Sequence, residues 1–244
     1  MNDIILTVVT VTYNDLAGLR KTEKSIARGN PKGVEWVVID GGSRDGSLEF
    51  IKSSSIVDKY ISEKDGGIYD AMNKGMAMGE GRFFVFMNAG DYFEDLQKLL
   101  DFLVRETFKL VFCNAKIDYG RFVKLRKARD FRTIWHGIPA NHQAIIFHSE
   151  IVRKIKYPIR YKICGDYAFL AEIYRMNYSS ILFDDVVAIF EAGGVSTKRP
   201  FLLIKEAVHV QLTILKIPYY LVFLSAARRA VSLLANYVAA LLVR

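Results

Sequence analysis

The sequence predicts an α/β fold, a doubly wound and mainly parallel sheet with a helical appendage at the C-terminal end. Two observations predict it: apolar, β-branched runs alternate with segments of helical periodicity, and the polar clusters fall at the ends of those runs. Such alternation implies parallel strands joined by right-handed connections. A chain of 244 residues, 51% of them hydrophobic, is long enough for one large domain over residues 1–200 and a smaller helical piece over residues 201–244.

Ile4 to Thr12 is an apolar, β-branched run of the kind that buried parallel strands show. It is short and no basic segment precedes it, so it reads as a strand and not as a signal peptide. Asn14 and Asp15 can cap the next segment, where Leu16, Leu19 and Ile26 recur at helical spacing until Gly29-Asn30-Pro31 ends it. Val34 to Asp40 is a second strand, closed by the turn Gly41-Gly42-Ser43, and Val57 to Ser62 is a third. Asp70 to Met78 reads as a helix in which Ala71, Gly75 and Met78 form a small-residue face for close packing. Phe83 to Met87 is a fourth strand, ending at Asn88-Ala89-Gly90-Asp91. Leu96, Leu99, Leu100 and Leu103 mark another helix, and Leu110 to Ala115 a fifth strand. The second half is less regular. Ala144 to Phe147 reads as a strand, and Asp166 to Met176 as a helix with Phe169, Leu170, Ile173 and Met176 on one face. Ser180 to Phe190 is extended and runs into the loop Gly193-Gly194-Val195-Ser196.

The net charge of +8 is unevenly spread: residues 121–160 hold ten basic and two acidic side chains, residues 197–244 seven and one. Such blocks point to an anionic partner, phosphate or acidic lipid, or to a solvated basic face. No recognised nucleic-acid motif accompanies them, so nucleic acid is not an expected partner. Cys113 and Cys164 lie far apart without metal-like or CxxC spacing, which points to a reducing compartment. His136, His142 and His148 recur six residues apart, which is not zinc-ligand spacing. Ile217 to Arg244 holds uncharged runs of 11 and 14 residues around Arg228-Arg229. Neither run reaches the roughly 20 residues that a bilayer span requires. The stretch reads as amphipathic helices lying on an anionic membrane surface, or as a helical pair packed on the core or at a dimer interface.

Ligands of open α/β sheets sit beyond the carboxyl ends of the strands. Three polar clusters lie there: Thr12-Tyr13-Asn14, Asp40 to Asp45, and Asn88 to Asp91. An acid at a strand tip, such as Asp40, can accept hydrogen bonds from a base or a ribose, and glycines such as Gly42 let backbone amides approach a ligand; the plainer reading is a turn with Asp45 as a helix cap. Asp91 can hold Mg2+ or Mn2+ together with diphosphate oxygens, since such cations are often bound by one or two carboxylates plus substrate phosphates; the plainer reading is a turn acid. The turn Asp65-Gly66-Gly67 feeds a helix whose N-terminus attracts phosphate, with Asp70 as a cap on the plainer reading. Asp166 opens an amphipathic helix, either as a general base for a substrate hydroxyl or as an N-cap. Asn141-His142-Gln143, a polar trio before an apolar strand, is a candidate for acceptor contacts.

Taken in order, four segments resemble family 2 glycosyltransferases with the GT-A fold: Thr10-Val11-Thr12-Tyr13-Asn14, Val38 to Gly46, Asp65 to Gly75, and Phe86-Met87-Asn88-Ala89-Gly90-Asp91. They are especially similar to the bacterial exopolysaccharide branch that includes the colanic acid cluster enzymes. Pro139-Ala140-Asn141-His142-Gln143, Gly165-Asp166-Tyr167 and Gly193-Gly194-Val195-Ser196-Thr197 extend the resemblance, which covers residues 4–200.

The resemblance implies an inverting, non-processive transfer of one sugar from a nucleotide-sugar, a UDP-sugar being favoured, to a polyprenyl-diphosphate-linked oligosaccharide. Thr12, Tyr13, Asn14, Asp40, Gly42, Ser43 and Asn88 then belong to the nucleotide site. Asp91 is the protein carboxylate on Mn2+ or Mg2+, and Asp166 is the general base. Asn141, His142 and Gln143 face the acceptor, and Gly193, Gly194 and Ser196 belong to a loop over the diphosphate. The family's two-acid metal motif is reduced here, because Asn88 and Gly90 stand where the pattern has acids. The processive (Q/R)xxRW motif is absent, which implies a single addition. The implied location is cytoplasmic, peripheral on the inner face of the cytoplasmic membrane. Two rivals remain: a non-catalytic nucleotide-sugar-binding scaffold of a polysaccharide complex, and a nucleotidyltransferase, against which stands the lack of a glycine-rich basic loop after the first strand.

Overall fold

The computed structural model describes residues 4–28, 32–191 and 199–242. The helix terminator read at Gly29-Asn30-Pro31 and the loop residues Gly193, Gly194 and Ser196 lie outside the described residues. Strand β1 (Leu6–Thr12) is buried along its whole length. Its alternate side chains feed two apolar clusters, Val9 and Val11 on one face of the sheet, Leu6 and Val8 on the other. This is why the run is continuously apolar instead of alternating with polar residues. β1 pairs in parallel with β2 (Val34–Asp40) and with β4 (Phe83–Phe86), and β2 with β3 (Lys59–Ser62).

The remaining strands are β5 (Tyr92–Phe93), β6 (Leu110–Asp118), β7 (Val123–Arg126), β8 (Ile145–His148) and β9 (Ser180–Glu191). They extend one sheet in the order β3-β2-β1-β4-β8-β6-β9-β5, with β7 on β6. β8 is inserted antiparallel between β4 and β6, so β4 and β6 run the same way, and β9 adds to β6 in parallel. Six strands (β1, β2, β3, β4, β6, β9) therefore share one direction, which makes the sheet mixed but mainly parallel.

Helices α1 (Leu16–Ala27), α2 (Ser47–Ser53) and α4 (Leu96–Leu103) cover the face that holds Leu6 and Val8, through Leu19, Ile26, Ile51 and the Leu96–Leu103 stripe. Helices α3 (Ile68–Met78), α5 (Ser149–Lys154), α6 (Gly165–Arg175) and α7 (Pro200–Thr213) cover the other. Gly75 is where α3 meets the sheet: a β-carbon there would lie 2.2 Å from Val9 Cγ1. The small-residue face of α3 thus packs backbone against strand. Elements absent from the sequence reading, α2, α5, β5 and β7, are short or exposed. β7, largely solvent-facing, exists through its ladder to β6. No seven-residue helix or two-residue strand carries a periodic signal of its own.

The C-terminal helices α7 and α8 (Tyr219–Leu242) are joined to the core by α7, whose Ala207 and Val210, with the C-cap residue Ile214, belong to the same apolar cluster as α3 and α6. Beside them, buried Glu206 accepts hydrogen bonds from the backbone N–H groups of Lys162 (2.9 Å), Ile163 (2.9 Å) and Cys164 (2.8 Å). These amides lead into the start of α6, so a side chain from α7 anchors the approach to a helix whose own N-cap residue, Cys164, makes no side-chain cap bond. The opposite side of the pair stays bare, with Phe201, Tyr219, Tyr220 and Phe223 all exposed. Among the described residues, no helix is long and apolar enough to cross a membrane.

Replacing Glu206 by Ala leaves three amides at the head of α6 without their acceptor. The expected loss is about 3 kcal/mol of stability, read as a lowered midpoint in urea unfolding. A midpoint unchanged from wild type would show that the Glu206 anchor is dispensable.

Candidate active site

The parallel pairing brings the carboxyl ends of β1, β2 and β4 together: Thr12 pairs with Asp40, Gly41 N–H donates to the Thr12 carbonyl and Ala89 N–H to that of Val11. Thr12-Tyr13-Asn14, Asp40 to Ser43 and Asn88 to Asp91 therefore form one rim, as the sequence predicts. Asn14 and the acids of this rim mostly hold its shape. Asn14 sits at φ 50°, donates its N–H to Ser43 Oγ (2.7 Å) and accepts from Arg44 N (2.8 Å). Asp45 ties the α1 start to the α2 turn, accepting from Leu16 N (2.8 Å) and Ser47 Oγ (2.6 Å).

Asp40, expected to face the nucleotide, does not. It is 0% exposed. Its carboxylate is occupied by the N–H and hydroxyl of Ser43 and by the Ser62 hydroxyl. The reason is its place at the last position of β2, flanked by β1 and β3, where Ser62 and the following turn close on it. The acid that does reach the rim is Asp65. Its Oδ1 accepts from Gly67 N (2.8 Å), and its Oδ2 stands 2.9 Å from where a β-carbon of Gly41 would be. The Tyr13 ring lies 3.2 Å from the same point, and Tyr13 is 67% exposed. The sequence offered one signal for this: a glycine beside Asp40 leaves room that a side chain from elsewhere fills. The amides before α3 are already taken, Gly67 N by Asp65 and Gly66 N by Asp70 (2.9 Å), so the phosphate expected at this helix start finds them in use.

Asp91 lies in a cleft of about 400 Å³ with Asp15, Gly18, Lys21, Asn88 and Glu191. Burial pushes its carboxyl up to about 7, against the lowering effect of a 2.7 Å hydrogen bond from Gln143 Nε2. Three buried side-chain polar atoms lack a partner among the described residues, and two are on this rim, Thr12 Oγ1 and Asn88 Oδ1. No group of three or more His, Cys, Asp or Glu suited to a metal occurs among the described residues. An orphaned amide oxygen three residues from one desolvated carboxylate does fit a divalent cation that takes its other ligands from phosphate.

Asn141, His142 and Gln143, expected to face an acceptor, are all buried and committed inside the protein. His142 Nε2 meets Tyr157 Oη at 2.7 Å, its ring stacks on Phe86, and burial pushes its pKa down to about 4. Gln143 holds Asp91. Asn141 donates to Gln143 Oε1 (3.4 Å) and accepts from Arg126 Nη1 (2.9 Å). The trio sits on a 3-10 turn (His142–Ala144) that enters β8 in mid-sheet, so its side chains face the interior.

Arg126 leads to Asp166, whose charge acts on it. Asp166 is the second residue of α6, not its cap, and its Oδ1 accepts from Tyr167 N (2.7 Å). Burial pushes its carboxyl up to about 6. Gly165 allows α6 to start hard against the Tyr69 ring, 2.5 Å from where a β-carbon would lie. Asp166 is the one carboxylate lining a chamber of about 670 Å³, whose other walls include Arg126, Arg129, His136, Tyr167 and, from α8, Arg228 and Arg229. Arg126 and Glu206 were not singled out by the sequence reading, which named Asp65 only as part of the turn before α3.

Comparison with known proteins adds to this geometry. The model of the family "Glycosyl transferase family 2" matches residues 7–176. An uncharacterized glycosyltransferase of Mycobacterium tuberculosis is 40% identical over 211 residues, covering 80% of this chain and 78% of the relative. A glycosyltransferase of PGL/p-HBAD biosynthesis from the same species is 28% identical over 174 residues, 68% of each chain. Among solved structures, Staphylococcus aureus TarS in complex with UDP-GlcNAc superposes with a TM-score of 0.67 at 19% identity, covering 86% of this chain and 67% of that one. The mannosyltransferase PcManGT of Pyrobaculum calidifontis, in complex with GDP-Man and Mn2+, gives 0.67 at 17% identity over 96% and 75%. At these identities the two structures speak for the fold, which is of the GT-A type.

The two raised carboxyls set a pH dependence. An unfolded aspartate titrates near ~4, so as pH rises from about 4 to about 7 the unfolded chain releases protons that folded Asp91 and Asp166 still hold. Stability must fall through that window. Asp166→Asn removes one of these charges and is expected to raise the Tm at pH 8 and to change it little at pH 4. An equal shift at both pH values would contradict the assignment.

Proposed function

The chain belongs to glycosyl transferase family 2, and from that premise we propose that it transfers a single sugar, with inversion, from a nucleotide-sugar to a polyprenyl-diphosphate-linked oligosaccharide. The observation that carries the reading is Asp166: a desolvated carboxylate lining a chamber, beside Arg126, from which hydrogen bonds through Asn141 and Gln143 reach the second desolvated carboxylate, Asp91. A carboxyl poised near neutrality suits a general base. The proton of the acceptor hydroxyl passes to Asp166 as the oxygen bonds to the anomeric carbon, and the bond from that carbon to the diphosphate breaks, the nucleoside diphosphate leaving with the electron pair.

Asp91 and Asn88 are the residues that would hold Mn2+ or Mg2+ with donor phosphate oxygens, a cation that supplies neutralising charge for the leaving diphosphate. Tyr13 gives a face for the base. Asp65, with a carboxylate oxygen directed beside it, takes the base-reading role first given to Asp40, while Ser43 and Gly42 shape the rim. A UDP-sugar is favoured by the family resemblance, and relatives of the same fold are described with UDP-GlcNAc and with GDP-Man. The exposed aromatic side of α7 and α8, next to a basic segment, supports a peripheral location on the inner face of the cytoplasmic membrane. A place in exopolysaccharide or other cell-surface polysaccharide synthesis follows from such an acceptor.

The test is release of nucleoside diphosphate from a panel of UDP-, GDP- and dTDP-sugars with Mn2+ or Mg2+ and a membrane extract as acceptor source. One donor is expected to turn over, with a rate that declines as pH falls through about 6, where Asp166 takes up its proton. Asp166→Asn should lose at least a thousandfold in turnover while still binding donor; near-normal turnover would remove it from the role of base. In the same assay Asp65→Ala should raise the donor KM about tenfold with kcat nearly kept. If KM is unchanged, Asp65 does not read the base.

A further inference from the structure

The chamber at Asp166 has a charge problem that sugar chemistry alone does not explain. Six cations line it: Lys124, Arg126, Lys127 and Arg129 from β7 and the segment after it, and Arg228 and Arg229 from α8. Asp166 is the sole carboxylate among the lining residues, and among the described residues none of the six cations forms an ion pair. The guanidinium groups that are fixed are fixed by neutral oxygens, Arg126 by Asn141 (2.9 Å), Arg129 by the Ile138 carbonyl (2.9 Å) and Arg229 by the His136 carbonyl (2.9 Å). Their positions are set without their charge being spent. The cations also act on one another: Arg129 lies in the field of Arg228, and Arg126 in that of Arg129. Like charges gathered in a concave, partly desolvated wall raise the free energy of the empty site and are relieved by an anion.

That anion is not the donor's diphosphate. Asp91, Asn88, Tyr13 and Asp65 do not line this chamber, and Asp91 has its own cleft, separated from it by the chain Gln143–Asn141–Arg126. We propose, resting on the transferase reading above, that the chamber holds a phosphate or diphosphate of the acceptor itself, bound by Arg129, Arg228 and Lys127, in the same cavity as the hydroxyl that Asp166 deprotonates. Guanidinium groups match phosphate oxygens in pairs. A chamber of about 670 Å³ takes a diphosphate and few sugar rings, so the accepting sugar lies close to the phosphate. The reaction that supplies this substrate is then one that joins a first sugar to a phosphate-bearing carrier, and this enzyme acts early on the carrier instead of at the tip of a long chain. Tyr219, Tyr220 and Phe223 precede Arg228 and Arg229 on α8, which puts a bare aromatic side on the element that carries two of the cations.

Farnesyl diphosphate is the probe, with farnesol as its neutral control, on the full chain whose donor site is saturated with the nucleoside diphosphate found in the panel. Farnesyl diphosphate is expected to bind at least tenfold more tightly than farnesol, and to inhibit transfer competitively against membrane-extract acceptor but not against donor. Lys127→Gln with Arg228→Gln, both exposed and therefore harmless to folding, should weaken that binding at least tenfold and leave nucleoside diphosphate binding unchanged. Equal binding of farnesol, inhibition competitive with donor, or an unaffected double variant would each overturn the proposal. So would a double variant that loses only its binding to phosphatidylglycerol vesicles, because the cations would then read the lipid surface. Donor turnover with none of these effects would leave the transferase reading standing, whereas absent donor binding in a folded protein would sink that reading itself.

Discussion

The constraint on which the rest of the structure depends is the desolvation of two carboxylates, Asp91 and Asp166, beside a mixed sheet. Desolvation raises both, which means each is kept at a cost to stability that the surrounding packing must offset. The protein meets it with polar side chains placed where a globular core would ordinarily be apolar. From Asp91 a chain of hydrogen bonds of 2.7, 3.4 and 2.9 Å runs through Gln143 and Asn141 to Arg126, and the guanidinium at its end feels the charge of Asp166. Each partner in such a chain leaves the others unsatisfied if removed, so it orders the site more firmly than its separate bonds would.

This dependence explains why β8 lies where it does. An antiparallel strand between β4 and β6 delivers the 3-10 turn that precedes it to the middle of the sheet, beside the end of β4. His142, read as neutral because burial holds it so, fills the gap between Phe86 and Tyr157 and fixes the turn. Asn141, His142 and Gln143 thus form a structural bridge between the Asp91 cleft and the Arg126 wall of the Asp166 chamber. The same reasoning applies to α7: Glu206 anchors the head of α6, so the C-terminal helices take part in positioning Asp166.

Much of the fold was legible. β2 and α4 match their sequence-read limits, because one is a buried run of apolar residues and the other carries a complete leucine stripe. Gly75 was legible as a contact residue because helices with small faces pack closely. What was not legible were the short elements α2 and β7, whose stability comes from neighbours distant in sequence, and the burial of Asp40. Nothing in Asp40-Gly41-Gly42-Ser43 distinguishes an acid that faces a ligand from one that closes its own turn; Ser62, from the next strand, makes the difference.

The sequence by itself determined the alternation of strands and helices, the strand-end rim with Tyr13, Asn88 and Asp91, and Asp166 at the start of α6, because these follow from local patterns of burial and turn chemistry. Only the tertiary structure decided which acids face the rim, that Asn141, His142 and Gln143 look inward, and that cations 100 residues apart share one wall with Asp166. Those outcomes depend on strand order and on helix docking, and strand order is set by pairings between segments that carry no record of one another in their own sequence.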